Sequence, residues 1–211
     1  LVDCAKGTIT LINNANNQDL VRGIEQFSHL WLIFIFHGTQ QQGWNPLVRP
    51  PRLGGNKKIG VLATRSTFRP NPIGMSAVKL EQVNITKQSV ELHISGLDLL
   101  DQTPIVDIKP YIPYSDAIVD ANAGFAQEEP KINLAVVFTD SAKVSLQNHQ
   151  QCYPELVRLI EQVLAQDPRP AYKKQSKDTN EYGICLYDIN IKWRLISAST
   201  IEVFAVYSMK A

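Results

Sequence analysis

Between Leu30 and Ala123 the chain never repeats its apolar residues at the spacing of a helix. Short apolar runs recur instead, with glycines and prolines standing between them. Residues 30–36, LWLIFIF, form a continuous apolar run too short to span a membrane and suited to a buried strand. Residues 59–63, 77–83 and 105–108 read as further strands. Within 89–95, Val90, Leu92 and Ile94 alternate with Glu91, His93 and Ser95, the period-two pattern of a strand with one face in a core. This pattern predicts a mainly β fold, a sandwich or barrel, over residues 1–125. One helix is expected ahead of it, at 17–27, where Leu20, Ile24 and Phe27 recur at i, i+4 and i+7.

Residues 120–130, DANAGFAQEEP, read as a linker, and 126–211 as a smaller α+β unit. A strand is expected at 132–138. A helix follows, with Pro154 in its first turn, an apolar stripe of Leu156, Ile160, Val163 and Leu164, and Asp167-Pro168 at its end. Strands at 185–187, 191–196 and 201–207 complete the unit. Cys4, Cys152 and Cys185 are odd in number and form no CxxC pair. That disfavours a disulfide framework or a metal site and points to a reduced, cytoplasmic setting. No secretory signal stands out.

The formal net charge of +1 conceals an asymmetry. No Asp or Glu occurs from Gln26 to Leu80, a stretch that carries Arg49, Arg52, Lys57, Lys58, Arg65, Arg69 and Lys79. From Asp98 to Glu129 the sign reverses, with Lys109 the single basic residue. A basic block of this length suits an anionic partner such as nucleic acid; equally, the two blocks can neutralise each other across the fold. A second positive patch, Arg169, Lys173, Lys174 and Lys177 with Tyr172, falls in the C-terminal unit.

No GxGxxG, P-loop, HExxH or GxSxG is present, so function must lie in irregular loops. In RSTFRPNPIGM, from Arg65 to Met75, Pro70 and Pro72 fix two φ angles and stiffen the segment, and Gly74 permits close approach. Arg65 and Arg69 can each grip a carboxylate or phosphate in fork geometry. A ligand loop explains them better than a plain strand connection does. In SGLDLLDQTP, from Ser95 to Pro104, Asp98 or Asp101 can accept from ribose hydroxyls or simply shape a turn. Asp107 and Lys109 share a strand face by alternation, a pairing that is structural as often as catalytic. His37-Gly38 ends the apolar run at a position suited to a pocket rim. Trp31, Trp44 and Trp193 can stack bases, although most tryptophans are core.

These blocks carry a resemblance. VRPPRLGG (48–55), ATRSTFRPNPIGMS (63–76) and GLDLLDQTPIVDIKPYIPYSDA (96–117), with FSHLWLIFIFHG (27–38) and LAQDPRPAY (164–172), resemble the signature blocks of the TsaA-like, or TrmO, family. The resemblance implies a homodimeric β-barrel, unlike the Rossmann methyltransferases, that uses S-adenosylmethionine. It implies transfer of a methyl group to N6 of threonylcarbamoyl-adenosine beside the anticodon of tRNA. By position it implies cofactor contacts from His37, Gly38, Arg65, Met75, Ser95, Gly96, Leu97 and Asp98. Family members also carry an N-terminal strand and a PRQPG-like motif ahead of the segment that begins here as LVDCAKG; neither falls within these residues.

Under that resemblance Arg65 would bind the cofactor carboxylate, and Asp98 its ribose or ammonium group. His37 or Asp107 would serve as a base for the delocalised acceptor nitrogen. Arg69 or Lys109 would meet the threonyl carboxylate, with Asn71 beside them in the loop. Arg49, Arg52, Lys57, Lys58, Arg169 and Lys173 would hold phosphates, and Tyr111 or Tyr172 would stack on an anticodon-loop base. No metal and no membrane enter this scheme. Two other readings remain: a non-catalytic RNA-binding β-barrel, and a hydrolase or ligase for another anionic substrate.

Overall fold

The structure is a computed structural model that describes residues 2–128, 134–170, 173 and 180–209. The chain forms two compact units, Leu1–Pro50 with Asn56–Gly124, and Pro51–Gly55 with Phe125–Ala211.

The first unit contains β1 (Lys6–Thr10), β2 (His29–Ile35), the single turn α1 (His37–Gln40), β3 (Leu47–Val48), β4 (Ile59–Gly60), β5 (Ile73–Ile85), β6 (Val90–Ser95), β7 (Ile105–Pro110) and a second turn, α2 (Pro113–Asp116). Five strands make one antiparallel sheet in the order β1-β6-β5-β2-β7, and β3 and β4 form a separate ribbon. Among the described residues β1 and β7 each have one neighbour. The hydrogen-bonded sheet is therefore open, where a closed barrel was one expected form.

Alternation decides which face is buried. Leu30, Leu32 and Phe34 of β2, Val78 of β5, and Val90, Leu92 and Ile94 of β6 form the core with Ile9 and Val21. Burying one such side chain contributes about 1.5–3 kcal/mol. Trp31, Ile33 and Ile35 point to the opposite, half-covered face, so the apolar run is fully buried on one side only. Gly74 lies opposite Phe34 in the register. A Cβ there would fall 2.5 Å from Phe34 Cε2 and 2.7 Å from Phe36 Cζ, so two rings pack directly on its backbone.

Three expected boundaries change. The helix at 17–27 is absent; two short 3₁₀ turns, Gln18–Val21 and Ile24–Gln26, take its place. Gly23 separates them at φ 86, a left-handed conformation that ends a right-handed hydrogen-bond run. The strand at 59–63 stops at Gly60, and Val61–Ala63 turn as 3₁₀. β5 extends well beyond 77–83 and carries an irregularity between Leu80 and Gln82.

The second unit holds β8 (Ala135–Phe138), α3 (Asp140–His149), α4 (Leu156–Ala165), β9 (Glu181–Leu186), β10 (Ile189–Ser197) and β11 (Thr200–Ser208). Its sheet runs β8-β11-β10-β9, with β8 parallel to β11 and the other pairs antiparallel. Leu146 of α3 and Leu156, Ile160 and Leu164 of α4 pack on Ile189, Ile191, Trp193, Ile201 and Val203. α3 was not anticipated; its sequence DSAKVSLQNH buries only Ala142 and Leu146, and the Thr139 hydroxyl caps it by accepting from the Ala142 N–H at 3.2 Å. Of the strand expected at 132–138, residues 132 and 133 lie outside the described residues.

Candidate functional site

Three loops meet where β2 ends. The Ile35 N–H donates to the Pro104 carbonyl at 3.0 Å, and the Phe36 N–H to the Pro72 carbonyl at 2.7 Å. Because β5 and β2 lie between β6 and β7, the connection from Gly96 to Pro104 must cross both. Gly96 starts it at φ 76, with its N–H on the Ala5 carbonyl at 2.9 Å. Asp98 Oδ1 accepts from Ser76 Oγ at 2.9 Å, pinning the crossing loop to β5. Further along, Leu100 packs on Gly38, where a Cβ would come 3.1 Å from its Cδ1. These contacts bring Gly38 and Asp98 onto one frame, together with their chain neighbours His37, Gly96 and Leu97. His37 is half-buried, and its side chain has no hydrogen-bond partner among the described residues.

The loop before β5 staples itself. Thr64 Oγ1 donates to the Val61 carbonyl at 2.8 Å and accepts from the Ser66 N–H at 3.2 Å; Ser66 Oγ accepts from the Phe68 N–H at 3.3 Å. Arg69 turns inward, its Nη1 on the carbonyls of Thr64 at 2.7 Å and Val61 at 3.4 Å. That use of Arg69 shapes the loop, which differs from the expected carboxylate grip. Arg65 is exposed, and its side chain has no hydrogen-bond or ion-pair partner among the described residues. Asn71 is exposed, and its carbonyl accepts from the Ile73 N–H at 2.7 Å.

Met75 lies on the outer face of the sheet, 58% exposed, in one row with Ile33 and Asp107. Asp107 and Lys109 share that face, as alternation requires, with 2.8 Å between Nζ and Oδ2. The Lys109 bond, followed by the Ile108 N–H at 2.9 Å, holds the Asp107 carboxyl below its ordinary range. A carboxylate stabilised in this way is a poorer proton acceptor, which weighs against Asp107 as the base and ties up Lys109. Tyr111 packs its ring at 5.5 Å on Trp31 and 6.4 Å on His29, and Trp31 Nε1 donates to Asp116 Oδ2 at 2.8 Å. Ser95 is buried, and its hydroxyl donates to Glu81 Oε1 at 2.5 Å, so that side chain is engaged inside the fold.

The phosphate candidates divide. Arg49, Lys57 and Lys58 of the first unit are exposed, and their side chains have no partners among the described residues. Arg52, in the second unit, donates to the Glu128 carbonyl. Arg169 is a correction: it is only 7% exposed, with Nε and Nη2 donating to the two oxygens of Asp167 at 2.7 and 2.9 Å. A buried carboxylate demands such a counter-ion, so this guanidinium is not available to a phosphate. The Lys173 ammonium lies 5.6 Å from the Tyr182 ring centroid. Tyr172 lies outside the described residues. Trp193 is core at 2% exposure, whereas Trp44 is 55% exposed.

Sequence reasoning missed Ser76, Leu100, Thr64 and Ser66. The hydroxyls at 64 and 66 were readable as turn formers. The other two required knowledge of which loops cross.

Family models and relatives named for tRNA methylation match this chain. Residues 1–117 match the tRNA-methyltransferase O N-terminal domain, and residues 131–209 match the TrmO C-terminal domain. The chain is 52% identical over 206 residues to the tRNA (adenine(37)-N6)-methyltransferase of Escherichia coli, covering 98% of this chain and 87% of that protein. It is 43% identical over 207 residues to a Pseudomonas aeruginosa protein named for S-adenosylmethionine-dependent methyl transfer, again covering 98% and 87%. A crystal structure of TrmO from Pseudomonas aeruginosa superimposes with a TM-score of 0.79 at 36% identity, covering 98% of this chain and 86% of that one. With both family domains matched in order and the fold shared, this chain belongs to the TrmO family of tRNA methyltransferases.

Proposed function

We propose that this chain methylates N6 of adenosine 37 in tRNA with S-adenosylmethionine as donor, and that the adenosine it takes carries a threonylcarbamoyl group. The activity follows from family membership and from relatives named for it. The observation that carries the site is the frame at the end of β2, where main-chain bonds join the loops at 72, 36 and 104.

The residues present suit the donor. S-adenosylmethionine supplies an electrophilic methyl group on a sulfonium. Arg65, without a partner among the described residues, offers a fork for the donor's carboxylate. Asp98 is anchored through one oxygen by Ser76 and offers its carboxylate to an ammonium or ribose hydroxyl. Gly38, Gly96 and Leu97 allow close backbone approach beside them, with exposed Met75 on the neighbouring strand. The main task of such residues is to hold donor and acceptor in line. His37 is the better-placed base, since Asp107 is committed to Lys109. Arg49, Lys57 and Lys58 would neutralise tRNA phosphates, and the reaction would occur in the cytoplasm with the protein as a homodimer. Exposed apolar side chains of the first unit support the dimer: Ile73 is 47% and Val106 59% exposed.

Titration calorimetry tests the assignment. Arg65→Ala is expected to abolish S-adenosylmethionine binding. Lys57→Ala is expected to leave it intact, to weaken tRNA binding, and to reduce the salt slope by about one unit or less. If both variants weaken tRNA alike and neither touches the donor, a non-catalytic RNA-binding module is the better description.

A further inference from the structure

The first unit carries a surface that the donor site does not use. The ribbon of β3 and β4 sets Leu47 opposite Gly60 and Val48 opposite Ile59. The Val61 N–H donates to the Pro46 carbonyl at 3.0 Å, and the Asn45 N–H to the Phe68 carbonyl at 3.3 Å. This second bond fixes the backbone beside Trp44 against the loop that bears Arg65. The large apolar side chains here face solvent: Trp44 is 55%, Leu47 54% and Leu62 77% exposed. A tryptophan left half in water forgoes the largest apolar burial any side chain can provide, which marks it as a contact residue.

Charge decides the partner. Arg49, Lys57 and Lys58 of the same unit are exposed without ion-pair partners among the described residues, and no acid occurs between Glu25 and Glu81. A second copy placed here by two-fold symmetry would set these cations against their own equivalents. An unpaired RNA strand presents phosphates to the cations and the flat face of a base to the indole.

We infer that Trp44 is a stacking platform for an unpaired base of the RNA substrate, with Arg49, Lys57 and Lys58 holding the adjacent phosphates. The inference rests on the tRNA reading above and adds which residue orients the loop. Phosphate contacts fix register, while a stacked base sets how far the strand turns towards the donor.

The test is binding of a labelled anticodon stem-loop RNA to Trp44→Leu and Trp44→Phe, which keep apolar bulk and differ in the aromatic face. Trp44→Leu is expected to raise Kd about tenfold, and Trp44→Phe to recover most of the loss. The slope of log Kd against log salt should be the same for wild type and both variants, because no cation is removed. A fully paired RNA duplex should bind all three alike. Equal loop affinity for all three proteins overturns the inference, as does an equal loss on duplex. So does a loss that tracks a change of oligomeric state in sedimentation, which would make the face a copy–copy contact. A wild type that binds and methylates tRNA beside an unaffected Trp44→Leu defeats only the stacking; a wild type that binds no tRNA defeats the enzyme reading itself.

Discussion

Replacing Arg169 with methionine would leave the Asp167 carboxylate buried without the guanidinium that now meets both of its oxygens. Both side chains of the pair are 5% exposed, so water has little access to the carboxylate left behind. Breaking one side of a buried ion pair costs about 3–5 kcal/mol. A domain is stable by about 5–15 kcal/mol in total, so the second unit would lose from about a fifth to all of its margin. Urea unfolding followed by the fluorescence of Trp193, 2% exposed in that unit's core, reads the effect. With a slope of about 2 kcal/mol/M, a loss of about 3 kcal/mol lowers the midpoint by about 1.5 M. Asp167→Asn combined with Arg169→Met removes both charges and should cost less than the two single changes added together. The salt slope of tRNA binding should not move. A midpoint unchanged within a few tenths of a molar, together with a salt slope reduced by about one, would refute the argument and return Arg169 to the phosphate-binding residues.

Gly74→Ala would drive a methyl group to within 2.5 Å of Phe34 and 2.7 Å of Phe36. The expected loss is about 1–3 kcal/mol, with weaker donor binding because Met75 and Ser76 move with the strand; calorimetry and a melt measure both, and an unchanged melt contradicts it. Tyr153 donates to Asp188 at 2.5 Å and its phenol is pushed up to about 12 from an ordinary 10.0, first by that bond and then by burial. The folded state thus favours the neutral phenol, so this stabilisation is complete below pH 10 and is lost as pH rises towards about 12. The stability difference between wild type and Tyr153→Phe should shrink across that interval. A difference that stays constant rules out the Asp188 bond as its cause.

Strands were legible where burial leaves a periodic mark. The alternation at Val90, Leu92 and Ile94 fixed β6, and the run at 30–36 fixed β2. The spacing of Leu20, Ile24 and Phe27 imitated a helix, but Gly23 interrupts it at positive φ and Leu20 is 64% exposed. A glycine inside an apparent helical stripe was the available warning. The loops proposed to carry the site could be picked out by their prolines, glycines and arginines. The inward turn of Arg69 and the pairing of Arg169 could not, because a guanidinium reads alike in sequence whether it faces solvent, a carbonyl or a buried carboxylate. Nor does any local pattern tell that Leu100 rests on Gly38, since the two are joined only by the crossing of the β6–β7 connection.

The bonds that seat these loops, from Ile35 to Pro104 and from Phe36 to Pro72, involve only main-chain atoms. Each proline carbonyl is an acceptor whatever its ring packs against, and each amide is a donor whatever side chain it bears. Side chains around the frame that hold no loop in place can therefore be exchanged while these two bonds persist, unlike Asp98, Ser76 and Leu100, which fasten the crossing loop. Under the proposed function, redesign of substrate preference can begin from single substitutions at residues such as His37 or Asn71 without rebuilding the scaffold.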